Sequence, residues 1–318
     1  MADEALHCLV ISDGRRGIEN QALGLAEGCS SIRPLTIQTH HLHHNAALAA
    51  LPPKAQRRLA KFDLPRCDIA IGCGRQAIAP LLYLKSNRPE VMTIYAQDPR
   101  IDPLEFDLVI APEHDAIRGP NVELMIGSPN RVTRDKVIVE TLSFASGLSR
   151  LPMPRAAILI GGTSKTHKLD AASHKAHMEA AKSLRGAGQA LLISLSRRTP
   201  DNIVLKWKRF ASDNDHVWLH DGEGPNPYFA FLGGAEIILV TEDSTNMLTE
   251  ACATGKPVFR LPMSGRAEKF QALYSALESR CGAVLYSGQL EGEDYPPLTE
   301  TARVSEIVWE RFDTFRSA

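Results

Sequence analysis

The chain has 318 residues, 44% of them hydrophobic and 23% charged, with a formal net charge of −1. That length exceeds one ordinary core and suits two domains of roughly 100–200 residues each. A charge so near zero supplies no overall field to gather nucleic acid or anionic membrane, so nucleic acid is not expected as a partner and membrane contact would need a local patch. No apolar run approaches the ~20 residues of a membrane span. The start, Met1-Ala2-Asp3-Glu4-Ala5, lacks the basic opening of a signal peptide, which leads to the expectation of a cytoplasmic protein. The six cysteines (Cys8, Cys29, Cys67, Cys73, Cys252 and Cys281) form no C-x-x-C pair and mostly sit in apolar runs, as reduced core thiols do.

Taken in order, short β-rich runs alternate with helical patterns. Leu6 to Ile11 reads as a buried strand, Asp13 to Gly17 as a loop, and Ile18 to Cys29 as a helix with Ala22, Leu25, Ala26 and Cys29 on one face. Asp68 to Ile71 is a second strand, followed by a glycine turn and a helix to about Lys85. Val91 to Tyr95, Leu108 to Ala111 and Val122 to Ile126 follow as strands, and Thr133 caps a helix to about Gly147. The stretch from Arg150 to Arg155, with Pro152 and Pro154, reads as the domain boundary. The pattern then restarts. Strands are expected at 156–160, 190–194, 216–219, 235–240 and 258–261, and helices at 171–186, 244–254, 267–280 and 299–315. Such alternation predicts parallel sheets with helices on both faces. The expectation is an α/β chain of two Rossmann-like domains, 1–150 and 151–318.

In open α/β sheets, ligands bind beyond the carboxyl ends of the strands, where helix N-termini attract phosphate. In the second half, Gly161-Gly162-Thr163-Ser164 offers two glycines for close backbone approach and two hydroxyls, or is simply a tight strand-to-helix turn. Ser196-Arg197-Arg198 places two arginines, suited to bidentate phosphate contacts but also common on solvated surfaces, just after a strand. The segment from Thr241 to Val258 brings Ser244, Thr245 and Asn246 to a strand end and Glu250 onto the next helix, before Gly255-Lys256-Pro257. Glu242 and Asp243 sit in the same loop. They would repel a diphosphate unless paired with Arg or Lys or bridged by a metal, and they also suit a helix N-terminus.

In the first half, Gly14 and Arg15, with Asn20 and Gln21 in the next helix, form one candidate ligand loop. Gly74 and Arg75 form a second, and Gln97 a third. A transfer to a hydroxyl needs a base; Asp13 and Asp98 are the candidates, with His114 a weaker one, and each is equally a loop or capping residue. His40, His41, His43 and His44 cluster, but adjacent histidines on a strand point to opposite faces, and no metal is expected there. Lys54 to Phe62 is a short basic helix that fits either a solvated face or anionic lipid heads.

The 241–258 segment resembles the donor-binding segment of GT-B nucleotide-sugar glycosyltransferases. That resemblance implies two Rossmann-like domains with a cleft between them and a last helix crossing back to the first. It also implies that Glu250 holds the ribose hydroxyls, Ser244 and Thr245 face the phosphates or sugar, and Gln271 contacts the donor sugar. No permanently bound cofactor is implied; the nucleotide sugar is the ligand. Asp13 to Leu25, Ala70 to Gln76, Tyr95 to Pro99, Ala157 to Thr163 and Val240 to Pro257, in this order and spacing, are similar to the mitochondrial fission Elm family. The plant members of that family resemble recruiters of the fission machinery, and this chain looks more like the bacterial ones. Three functions are therefore expected to compete. One is transfer of a sugar from a nucleotide donor to an envelope polysaccharide or lipid acceptor. The others are a non-catalytic scaffold of the same fold and a nucleotide-sugar epimerase or hydrolase.

Overall fold

A computed structural model describes residues 5–42, 50–265, 268–290 and 292–317. The first sheet is built from β1 (Leu6–Ser12), β2 (Leu35–His41), β3 (Ile69–Gly72), β4 (Met92–Ala96), β5 (Leu108–Pro112) and β6 (Val122–Met125). Helices α1 (Arg16–Ser30), α2 (Pro53–Leu59) and α3 (Arg75–Asn87) lie between them. All strand pairs are parallel, in the order β2-β1-β3-β4-β5-β6. Strands β3, β4 and β5 are buried throughout, as their unbroken apolar runs require of a sheet covered on both faces. β2 lies at the edge and half-exposes alternate residues, so its sequence, LTIQTHH, lacks that signature.

The chain then forms α4 (Arg134–Ser143), α5 (Ala145–Leu148), β7 (Arg155–Ile160), β8 (His167–Lys168), α6 (Ala171–Gly186), β9 (Ala190–Leu195), α7 (Asp201–Ser212) and β10 (Val217–His220). It continues with α8 (Tyr228–Gly234), β11 (Ile237–Thr241), α9 (Thr245–Cys252), β12 (Val258–Leu261), β13 (Ser264–Gly265), α10 (Gln271–Cys281), β14 (Val284–Leu285) and α11 (Glu300–Ser317). The second sheet is parallel, in the order β10-β9-β7-β11-β12-β14, and β8 and β13 form a small antiparallel pair. No helix among the described residues is long and apolar enough to cross a membrane.

Two compact units result: residues 1–131 with 299–318, and residues 132–298. Packing explains why the break precedes the proline-rich stretch. Gly233 sits so close to Thr141 and Val137 of α4 that it has no room for a Cβ, and Gly147 of α5 lies directly under the Trp218 ring. The segment 132–150 thus packs with the second sheet. The single helix expected after Thr133 is two, broken at Phe144 (φ −106°, ψ 16°), whose ring packs against Trp218.

The last helix returns to the first unit. Val304, Val308, Trp309 and Phe312 form a buried stripe at helical spacing and join the core that contains Leu25, Ala26 and Cys29 of α1. Trp309 Nε1–H donates to the Cys29 carbonyl (2.9 Å), and Arg33 grips Asp313 through two 2.7 Å hydrogen bonds. Gly24 is needed where α1 meets the chain, because a Cβ there would lie 2.5 Å from the Asn130 carbonyl carbon.

Candidate functional site

The strand order locates one crevice in each sheet. In the second, the chain leaves β7 toward β9 on one side and pairs with β11 on the other, so β7/β11 is the topological switch point, where open α/β sheets bind ligands. The residues of two sequence-predicted loops meet here. Gly161 N–H donates to Thr241 Oγ1 (2.8 Å) and Gly162 N–H to Asp243 Oδ2 (3.0 Å). Thr241 Oγ1–H donates to Asp243 Oδ1 (2.7 Å), and Arg198 Nη2 donates to Asp243 Oδ2 (2.7 Å). Thr199 Oγ1–H donates to the Gly161 carbonyl (2.6 Å).

This geometry gives the two glycines a cause. A Cβ at Gly161 would collide with the Asp243 carboxylate, and one at Gly162 with the Arg198 backbone carbonyl. Their N–H groups already serve Thr241 and Asp243. The hydroxyls of the exposed Thr163 and the half-buried Ser164 serve their own loop: Thr163 Oγ1 accepts from the Leu169 N–H, and Ser164 Oγ from those of Thr166 and His167. Ser196 Oγ accepts from the Arg198 N–H, and Arg197 is exposed.

The charge conflict expected from Glu242 and Asp243 is met by partners far away in sequence. Asp243, its side chain fully buried, has Arg198. Glu242 Oε1 lies 3.9 Å from Arg260 Nη1, and its Oε2 accepts from the Met263 N–H. Burial raises the Glu242 carboxyl above its usual range, with Arg260 opposing. Arg260 also stacks over the Tyr274 ring, 4.7 Å from its centroid.

Ser244 is the N-cap of α9, its Oγ accepting from the Met247 N–H (3.4 Å); Thr245 and Asn246 form the first turn, half-buried. Glu250 lies on the same helix, 7% exposed, and accepts a 2.6 Å hydrogen bond from the Tyr228 hydroxyl. Burial and the Glu250 charge push the Tyr228 phenol well above its usual range, so it stays a donor. Sequence reasoning missed Tyr228; its one local signal is the turn pair Asn226-Pro227 before it. Lys256 is not a surface charge: its Nζ donates to the carbonyls of Leu232, Gly233 and Ala235 at the end of α8. Gln271 opens α10 and is exposed.

Three histidines lie behind this crevice. Tyr274 donates its hydroxyl proton to the Glu242 carbonyl (2.8 Å), so the 3.0 Å contact with His167 requires a proton on His167 Nε2. His177 Nε2–H donates to the Pro262 carbonyl (2.8 Å). Burial lowers the pKa of both, and that of His174 to about 4.

In the first sheet the switch point is β1/β3. Asp13 is held by Arg15, whose Nε (2.8 Å), Nη2 (2.6 Å) and N–H (3.1 Å) all donate to it. Asp98 is likewise held by Arg100, through its N–H (2.8 Å) and Nε (3.0 Å). Gly14 is exposed at φ +79° with open space around it; Gly74, at φ +78°, packs on Ile18 and precedes the exposed Arg75. Gln97 adopts φ +145°, a strained conformation for a residue with a side chain, at the end of β4. Asn20 is half-buried. Gln21 is buried, its Nε2 donating to the Gly17 carbonyl (3.2 Å) and its Oε1 lying 3.6 Å from Cys73 Sγ. Ser12, Glu19 and His41 form a further cluster here. Of the histidine run, His43 and His44 lie outside the described residues. The basic segment forms only α2, where Lys54 pairs with Glu105 (2.6 Å) and Arg57 donates to Ser86.

The family model for mitochondrial fission ELM1 matches residues 16–312. The chain belongs to the mitochondrial fission ELM1 family. This ELM1-family chain is 26% identical over 264 residues to mitochondrial fission protein ELM1 of Arabidopsis thaliana, which spans 74% of the chain and 62% of the plant protein. It is 25% identical over 344 residues to the uncharacterized protein RP120 of Rickettsia prowazekii (strain Madrid E), covering 94% of the chain and 96% of that protein. Among solved structures it is similar to UDP-GlcNAc 2-epimerase from Neisseria meningitidis bound to UDP-GlcNAc. There the TM-score is 0.56 at 11% identity, covering 98% of this chain and all (100%) of the other. The 2-epimerase from Methanocaldococcus jannaschii gives 0.54 at 12% identity, with 96% and 100% covered. These likenesses agree with two parallel six-stranded sheets of the GT-B-like kind.

Proposed function

We propose that this ELM1-family protein binds a nucleoside diphosphate sugar on its second unit and transfers the sugar to a hydroxyl of an envelope polysaccharide or lipid acceptor. The observation that carries the reading is the Glu250–Tyr228 pair: a buried carboxylate, oriented by a phenol that stays protonated, on the helix that starts at the β7/β11 switch point. A carboxylate accepts from both ribose hydroxyls at once. Ser244, Thr245, Asn246, Thr163, Ser164 and the exposed Arg197 border the place for the phosphates, and Gln271 the place for the sugar. Glu242 and Asp243 are no obstacle, since each has its own arginine. Structures of the same fold with UDP-GlcNAc or UDP bound make a uridine nucleotide the first ligand to try. Gly14, Arg15, Asn20, Gln21, Gly74, Arg75 and Gln97 border the acceptor place in the first unit. The exposed Arg58, Leu59 and Lys61 suit peripheral contact with a membrane that holds a lipid acceptor.

Thermal unfolding against a panel of nucleotides and nucleotide sugars tests this. A ligand at 100 times its dissociation constant stabilises the folded state by about 2.7 kcal/mol. The expected result is a rise in Tm with a nucleoside diphosphate or its sugar that Glu250→Ala abolishes. No rise with any nucleotide at millimolar concentration would move the protein to the scaffold class. Conversion of the sugar without an acceptor would identify an epimerase or hydrolase.

A further inference from the structure

Helix α4 turns its apolar side outward. Its sequence is RDKVIVETLS, and none of its residues is buried. Ile138 is 46% exposed, Val139 60% and Leu142 69%. Leu142 lies four residues after Ile138 and three after Val139, so the three side chains share one face of the helix. The face that meets α8 is the more polar one. Val137 and Thr141 lie against Gly233, and Lys136 reaches over the Phe229 ring, 5.3 Å from its centroid. A surface helix ordinarily has the opposite arrangement, with its apolar stripe toward the core. No other helix among the described residues carries more than one large exposed apolar side chain.

The charges on this face select what can cover it. Its charged residues are Arg134 and Asp135, neighbours in the first turn, both exposed and opposite in sign. An anionic lipid surface wants a basic rim, and a charged peptide wants a net charge; this face supplies neither. A second copy of the same helix fits it. Laid antiparallel about a two-fold axis at Ile138, each Leu142 meets the first turn of the other helix, where the aliphatic stem of Arg134 can cover it. The two Arg134 side chains then start about eight residues apart along the axis, roughly 12 Å, which exceeds the ~10 Å screening length at 0.1 M salt. The exposed residues that follow, Ser143, Ala145 and Ser146, are small and leave room for close approach.

The area sets the strength. The three exposures leave roughly 300 Å² of mostly apolar surface on each copy, the size at which a patch on a monomer marks a contact site. Two such patches with their polar rims reach only the small class of interface, below about 1,200 Å² in total, so the association is reversible. We propose that α4 is a self-association face, joining two copies of this protein in a weak dimer through Ile138, Val139 and Leu142. The face lies within the second unit, and neither Glu250 nor a nucleotide enters the contact.

Sedimentation velocity of the full chain from about 1 to 200 µM tests this. Wild type is expected to pass from monomer to dimer within that range, a dissociation constant in the micromolar class. Leu142→Asp should raise the constant at least about tenfold, and Leu142→Met should leave it unchanged. Leu142 is exposed, so both variants should keep the wild-type Tm within about 2 °C; Val139→Lys repeats the test at a second position if Leu142→Asp does not fold. Ile138→Cys treated with a short bis-maleimide should link copy to copy at that position, read by peptide mass spectrometry. Leu205→Cys, at a similarly exposed position on α7, should not. Wild type that stays monomeric at the highest concentration, or a dimer that Leu142→Asp leaves intact, overturns the proposal. So does a monomeric wild type that sediments with vesicles of phosphatidylglycerol and phosphatidylcholine and loses that binding in Leu142→Asp, because the face then belongs to a lipid surface.

Discussion

Removing the Asp243 carboxylate is the sharpest structural perturbation of the second unit. Asp243→Ala leaves the buried Gly162 N–H without its acceptor, at a cost of about 1–3 kcal/mol. Thr241 loses its 2.7 Å partner but keeps the Leu159 carbonyl at 3.5 Å, so its share is smaller. Arg198 is half exposed and turns to water, so its ion pair adds less than about 1 kcal/mol. The void left by the carboxylate adds to this, giving about 3 kcal/mol in all, or a Tm lower by roughly 6–12 °C for a unit of this size. Urea and thermal unfolding followed by circular dichroism read the difference. Asp243→Asn, which keeps one acceptor oxygen, should lose about half as much, and Arg198→Ala less than either. If Asp243→Ala unfolds within about 0.5 kcal/mol of wild type, the carboxylate is not the knot that ties the two loops, and the reasoning fails.

Gly162→Ala would place a Cβ against the Arg198 backbone carbonyl, so it should cost at least about 2 kcal/mol in urea unfolding, whereas Gly14→Ala meets no atom and loses only its backbone freedom at φ +79°. Burial, with Lys206 and His177 adding to it, lowers His174 from 6.5 to about 4. The unfolded chain therefore takes up a proton that the folded one refuses, and stability falls as the pH drops from about 6.5 toward 4, by roughly 3 kcal/mol at the limit. His174→Gln should flatten that part of the urea-midpoint profile, and an unchanged slope would contradict the neutral buried imidazole. Lys256→Met strips the donor from three carbonyls at the end of α8, and hydrogen exchange in Tyr228–Gly234 should speed by at least about tenfold while α1 is unaffected.

The fold could be read where burial on both faces writes itself as an unbroken apolar run, as in Ala156–Ile160 and Ile237–Thr241. The edge strand β2 was harder to see, because one side faces water and Thr36, Gln38 and Thr39 interrupt the pattern. The place of residues 132–150 could not be read either, because Gly147 and Gly233 reveal their role only when Trp218 and α4 lie against them. In the second unit, the places of Asp243 and Ser244 at a strand end and of Glu250 on the next helix were legible from a local pattern. Their partners were not: Tyr228 is 22 residues from Glu250 and Arg198 is 45 from Asp243, and neither spacing leaves a periodic trace. The Gly161-Gly162 pair reads as an anion loop in sequence, yet steric contact with Asp243 and Arg198 is enough to require both glycines. The His41–Glu19 contact joins two elements through strand register, so a run of histidines alone carried no hint of it.

The central claim is that Glu250 holds a ribose, and calorimetric titration with UDP and 2′-deoxy-UDP on wild type and Glu250→Ala tests it most directly. A hydrogen bond to a charged group contributes about 1.5–3 kcal/mol, so wild type should prefer the ribonucleotide by roughly 10- to 100-fold. Glu250→Ala should bind both weakly and equally. Equal affinity of wild type for the two nucleotides, or a preference that survives in Glu250→Ala, would contradict the account.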